Sequence, residues 1–354
     1  MNHTRSIRLA AAAGSLLLLA TGCTTAREAE ARANASLGHS GCPVEVNQDF
    51  TGTVRIGYQG VPNANLYVKD ARMLETCLPK GRITWIKFDS GADVVQAFGS
   101  GSVDLATLGS SPATKALSAP LNVDMQVIWV DDVIGRAESL VAKDPAVKSL
   151  ADLKGRTIAT PFSSTSHYSL LQALGEAGMR PGADVKLINL APDKMASAWN
   201  GDQLDAAWVW DPAQTALVKA GGHVVTGSDA TAKAGHPTYD LEGATRSFIE
   251  ANGSFLKTWT QVQDAAAREL VENPEKAAPG IGVQLGTETA AVQKQLAGYE
   301  FPDASQQAEI FQKLGGQLHS TAEFLDSQGE IDAVASQQTY DDGLYVTAID
   351  EVAR

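Results

Sequence analysis

Between Pro161 and Leu171 the chain reads PFSSTSHYSLL, with Ser163, Ser164, Thr165 and Ser166 crowded ahead of His167 and of Leu170, Leu171 and Leu174 at helical spacing. Loops that only turn a corner are usually written with Gly, Pro, Asn and Asp. A helix leaves its first N–H groups without intrahelical partners, and its dipole places roughly half a positive charge there. Hydroxyls grouped at such an entrance either cap the helix, for which one suffices, or complete a site for an anion. A sulfonate, ionised throughout the physiological pH range, can be saturated by such neutral donors without Lys or Arg. His167 either donates to that anion or packs beside it.

Other residues could meet a cation. An ammonium that leaves water requires a carboxylate or an aromatic face. Glu138 stands in GRAESL, Asp211 in VWDPA and Asp240 in HPTYDLEG; the ordinary fate of each is a solvated surface acid. Trp210 either covers an apolar stretch of ligand or belongs to the core. Gln59 closes the run GTVRIGY, Asp89 and Ser90 follow ITWIKF, and Ser110 with Ser111 follow VDLATLG, so these five stand where strands give way to loops and could supply rim donors.

The elements that must position these groups alternate. GTVRIGY, ITWIKF, VDLATLG, MQVIWV, TIAT, DVKLINL and LDAAWVW read as strands, with helical stretches such as GADVVQAFGSG between them, which is an α/β pattern. From about Arg246 onward the composition is almost wholly helical. One internal echo stands out: AFGSGSVDLATLGSSPA from Ala97 aligns with AWNGDQLDAAWVWDPA from Ala198, with Asp104 falling on Asp205 and Phe98 on Trp199. Two ordinary αβ connections can coincide this way; two similar lobes would also produce it, and would turn their strand ends toward a shared cleft.

Composition narrows the function. The 354 residues are 44% hydrophobic and 19% charged, enough for a globular core, and the formal net charge of −13 with no basic patch argues against nucleic acid. The six histidines are dispersed, no HExxH or G-x-S-x-G motif occurs, and GIGVQLG misses the dinucleotide spacing by one residue. The pair Asp131 and Asp132 means little in a chain with 41 acids. No metal or cofactor is expected.

The N-terminus reads as a targeting segment: Arg5 and Arg8, a short apolar run through SLLLLA, then LATGC ending at Cys23. That join resembles a bacterial lipobox, so residues 1–22 are expected to be a leader, Cys23 a lipidation site, and residues 23–52 a tether. The remaining cysteines, Cys42 and Cys77, would lie in an oxidising compartment, where an even count favours a disulfide.

The stretches FDSGADVV, LGSSP, DLKGRTIATPFSSTSHYSLL and DAAWVWDPA resemble the substrate-binding proteins of taurine and aliphatic-sulfonate ABC importers, over nearly all of the chain from Val54. The resemblance implies a periplasmic-binding-protein type II clamp. Each lobe would be a mixed, mostly parallel sheet flanked by helices, with two crossovers between lobes: residues 53–134 plus 241–354 in one lobe and 135–240 in the other. It places Glu138 and Asp240 near the hinge as candidates for a ligand amine. It further implies a monomer outside the cytoplasmic membrane, anchored by lipid only, that delivers taurine or an alkylsulfonate to a permease coupled to an ATPase subunit. The sequence departs from the family pattern in QGVPNANL and DLEGATRSF. The alternatives are a clamp for another small anion or zwitterion, such as nitrate, and a thiamin-precursor-synthase-like enzyme, whose histidine- and cysteine-bearing site is not found here.

Overall fold

The structure is a computed structural model that describes residues 41–353. The expected leader, Cys23 and the first part of the tether lie outside the described residues. Among those described, no helix is long and apolar enough to cross a membrane.

Two sheets are built to one plan. The first half supplies β1 (Thr53–Tyr58), α1 (Ala64–Asp70), α2 (Met73–Cys77), β2 (Arg82–Lys87), α3 (Gly91–Gly99), β3 (Leu105–Gly109), α4 (Ser110–Leu117) and β4 (Met125–Ile134). The chain then passes into a second sheet made by β5 (Glu138–Ala142), β6 (Thr157–Thr160), α5 (Thr165–Glu176), β7 (Lys186–Asn189), α6 (Pro192–Asn200), β8 (Ala206–Trp210), α7 (Ala213–Lys219), β9 (His223–Gly227) and α8 (Ser228–Lys233). It returns to the first sheet as β10 (Tyr239–Thr245). With the later short strand β11 (Tyr299–Glu300), the first sheet runs β11-β4-β10-β3-β1-β2, and the second runs β7-β6-β8-β5-β9. In each, three parallel strands are followed by one antiparallel strand that has just arrived from the other sheet: β10 beside β3, and β5 beside β8.

The echo read from the sequence lies at equivalent places in this plan. Asp104, just ahead of β3, accepts from the backbone N–H of Arg55 at 2.8 Å and from its guanidinium at 2.5 Å. Asp205, just ahead of β8, accepts from the backbone N–H of Thr157 at 2.8 Å and from the guanidinium of Arg156 at 3.0 Å. In both sheets the acid pins the start of the neighbouring parallel strand. Phe98 and Trp199 are both buried beneath these turns.

The central strands β3, β5 and β8 are buried along their whole length, which is why β3 and β8 read as apolar runs and not as alternation, while β5 buries Glu138 and Ser139 as well. Beyond β10 the chain is helical through α9 (Arg246–Ala251), α10 (Gly253–Glu272), α11 (Pro274–Leu285) and α12 (Thr289–Leu296). Helices dominate this part of the chain, as expected, with the two-residue strand β11 as a single interruption. Two residues carry no periodicity, so the interruption left no mark in the pattern. The chain ends with α13 (Ala304–Ser327), α14 (Gln337–Asp341) and α15 (Thr347–Val352). The segment before β1 is bound to the body: Cys42 and Cys77 are joined by a disulfide with their Cα atoms 4.9 Å apart, and Asn47 donates to Ser254 Oγ on α10 at 2.8 Å.

Candidate functional site

The carboxyl ends of β1, β3, β6 and β8 and the leading ends of the returning strands β5 and β10 face one another across the gap between the sheets. They enclose a cavity of about 20 Å³ whose walls include Gln59, Gly109, Glu138, Ser164, Thr165, Trp210, Asp240 and Tyr299. That volume holds about one water molecule. A Cβ at Gly109 would lie 2.6 Å from the Thr165 methyl group, so the two sheets meet there with no room for a side chain. A ligand of several heavy atoms enters only when the sheets part.

The N-termini of α4 and α5 reach the cavity from opposite sheets, with Gly109, Ser164 and Thr165 in its wall. Ser111 and Ser166 are buried with hydroxyls that have no hydrogen-bond partner. Ser110 is already engaged, accepting from the Tyr239 backbone N–H at 3.2 Å. The cap of α5 is Ser164, which accepts from the His167 N–H at 3.1 Å and donates to the Pro161 carbonyl at 2.6 Å.

Acidic groups stand beside these helix ends. Glu138 is buried and accepts from Thr165 at 2.6 Å, from Ser228 at 2.7 Å and from Ser169 at 3.4 Å, with Ser166 beside it. Burial raises its pKa against the opposing pull of these hydroxyls. Asp240 sits directly across the ladder from Asp132 of β4 and from Gly109 of β3. Burial, followed by the charge of Glu138, pushes Asp240 up to about 7. Asp132 is fully buried, receives no N–H or O–H from the protein, and is raised well above the carboxylate range by burial and by Asp240. The contact between these two carboxyls is a hydrogen bond only when Asp132 carries its proton and donates it to Asp240. No Lys or Arg lines the cavity.

The structure separates the other residues singled out from the sequence. Ser163, at a left-handed φ of 58°, lies to one side, where its hydroxyl accepts from Lys115 at 2.9 Å and donates to Glu330 at 3.2 Å. These bonds tie the start of α5 to α4 and to the end of α13. His167 stacks on Phe162 with ring centroids 4.5 Å apart and accepts the Ser163 N–H at 3.3 Å, and burial lowers its pKa. Asp211 accepts from both the N–H and the hydroxyl of Thr215 and so fastens the first turn of α7. Ser90 caps α3, and Asp89 is exposed on the wall of a separate outer cleft. Gln59 lines the cavity while donating to the Thr107 carbonyl at 3.1 Å.

Four residues at the site were missed by sequence reasoning. Ser169 stands one helical turn beyond Thr165, a spacing that could have revealed it. Ser228, Asp132 and Tyr299 come from three distant segments and had no local signal. Tyr299 is buried among Asp132, Asp211, Asp240 and Glu138, its hydroxyl has no partner, and burial together with those charges raises its pKa.

Comparison with known proteins extends this picture. The taurine-binding periplasmic protein of Escherichia coli (strain K12) is 36% identical over 276 residues, covering 75% of this chain and 82% of the relative. The alkanesulfonate-binding protein SsuA from Xanthomonas axonopodis pv. citri, solved bound to MOPS, superposes with a TM-score of 0.69 at 23% identity, over 83% of this chain and 98% of that one. The periplasmic nitrate-binding protein NrtA from Synechocystis PCC 6803 superposes with a TM-score of 0.70 at 14% identity, over 87% and 89% of the two chains. These similarities establish the fold as the two-lobed type II periplasmic-binding clamp, one sheet to each lobe. The profile of the NMT1-like family matches residues 65–280, a span that includes Glu138, Ser164, Thr165, Trp210 and Asp240 of the cavity, and the chain belongs to that family.

Proposed function

We propose that this protein is an extracytoplasmic binding protein that closes its lobes over taurine or a related small aminosulfonate and delivers it to the permease of an ABC importer. The observation that carries this reading is that one cavity wall combines the N-terminal ends of two helices, through Gly109, Ser164 and Thr165, with the buried carboxyls Glu138 and Asp240. Helix N-termini suit a sulfonate and carboxylates suit an ammonium. Sulfate or nitrate would use the helix N-termini and leave the buried carboxyls without a cation, which is costly.

In this reading residues 53–134 and 241–354 form one lobe and residues 135–240 the other, with Cys23 lipidated and the mature chain monomeric. Binding works by population shift: contacts made from both lobes favour the closed form, which the permease then recognises. No covalent chemistry is involved. The membrane-side roles are supported by the periplasmic relative and by the LATGC join.

Calorimetry with taurine, ethanesulfonate, sulfate, nitrate and glycine betaine tests the reading. Ethanesulfonate lacks the amine and loses hydrogen bonds to charged groups worth about 2–3 kcal/mol, roughly 30- to 150-fold in affinity. Equal affinity for taurine and ethanesulfonate would reject the cationic end; sulfate or nitrate binding more tightly than either sulfonate would reject the whole assignment.

A further inference from the structure

Trp210 borders two spaces. It lines the inner cavity with Glu138 and Asp240, and it also lines an outer cleft of about 460 Å³ that includes Phe88, Ala196, Ala213 and Leu285. It is the one residue common to the two linings. Its place follows from the sheet: Trp210 is the last residue of β8 and pairs with Glu138, the first of β5, so the two side chains are neighbours on one face. The part of a ligand that meets Glu138 therefore also meets the indole. Gly109 against Thr165 closes the cavity on one side with no slack, and Tyr299 and Ile134 separate it from two further clefts. The outer cleft, by contrast, is wide and mixed in character, with Lys87 and Lys219 among its charged residues.

We propose that Trp210 is the partition that limits ligand length at the amine end, so that the protein takes aminosulfonates with an unsubstituted ammonium and excludes those bearing a bulky group on nitrogen. This rests on the aminosulfonate reading of the cavity. One direction in which such a group could extend is toward the outer cleft, and the indole fills that route, while Tyr299 stands between the cavity and two other clefts. Removing the ring joins the two spaces.

The probe is N-cyclohexyl-2-aminoethanesulfonate, which keeps the sulfonate, the two-carbon spacer and a cationic nitrogen. Calorimetry on the full mature chain should find it at least 100-fold weaker than taurine for the unaltered protein. Trp210→Ala should bind the probe at least tenfold more tightly than the unaltered protein does, while its taurine affinity falls. Trp210→Leu, a milder change that keeps an apolar filler, should shift both in the same directions by less. Ala196→Trp narrows the outer cleft; it should leave taurine binding unchanged in the unaltered protein and reverse the probe's gain when combined with Trp210→Ala. The proposal is overturned if Trp210→Leu or Trp210→Ala still binds taurine with no gain for the probe, or if the unaltered protein binds probe and taurine alike. Loss of all taurine binding by the unaltered protein overturns the reading of the cavity itself, a distinct result.

Discussion

Replacing Asp240 by Asn should make the unliganded protein more stable at pH 8 and flatten its response to pH. The ionisable groups facing Asp240 are Asp131 and Asp132 of β4, Glu138 at the start of β5 and Tyr299 of β11, all buried and none cationic. Asp240 is pushed from its ordinary 3.8 up to about 7. Between those values the folded protein keeps a proton that the unfolded chain has released, so stability falls as pH rises through the window and the loss is complete above the folded-state value. At about 1.36 kcal/mol per pH unit, moving from pH 5 to pH 8 costs about 3 kcal/mol from this one group. For a chain of this size that is roughly 4 °C in melting temperature. Asp211, pushed up to about 6, and Glu242, pushed up to about 8, both by burial, steepen the same trend. Thermal melts without ligand at pH 5, 6, 7 and 8 should therefore show the unaltered protein losing stability toward alkaline pH, and Asp240→Asn losing about 3 kcal/mol less. A variant whose melts track the unaltered protein in parallel across this range would refute the claim that Asp240 titrates there. Taurine should oppose the trend, because an ammonium at Glu138 and Asp240 favours their ionised forms.

Gly109→Ala places a methyl group 2.6 Å from the Thr165 side chain and should hold the lobes apart; ligand affinity is expected to fall at least tenfold while the unliganded melting temperature changes by only a few degrees, and unaltered affinity would show that full closure is not needed. Replacing both Cys42 and Cys77 by Ser opens a loop of 35 residues and should cost about 4 kcal/mol in denaturant unfolding, with taurine affinity unchanged because the bridge is remote from the cavity. A drop in affinity at full folding would instead link the N-terminal segment to closure.

Seven of the eleven strands among the described residues were legible because burial writes itself locally: an all-buried strand such as AAWVW is an apolar run wherever it lies, whereas β5, β9 and β10 carry polar residues and β11 is two residues long. The repeated plan was legible too, since Asp104 and Asp205 do the same work at the same place. The Ser/Thr cluster marked the right helix entrance but not the duty of each hydroxyl. Ser164 caps, Ser163 bonds across to Lys115 and Glu330, and Thr165 bonds to Glu138; local sequence cannot choose among partners 27 to 167 residues away. Asp132 was hidden for a different reason. In MQVIWVDDVI the acid pair means little in a chain with 41 acids, and the full burial of both accompanies the pairing of β10 and β11 along the two edges of β4.

The exchange of strands between the two sheets has a consequence for biosynthesis. Because β10 sits between β3 and β4, a growing polypeptide that has not yet reached Tyr239 leaves the facing edges of those two strands without their shared neighbour. The half that is made first is thus finished last, and it awaits a segment translated more than a hundred residues after β4. Any cellular helper that shields an incomplete chain during export would find its target in that open slot, and a fragment ending before Tyr239 should aggregate when expressed alone.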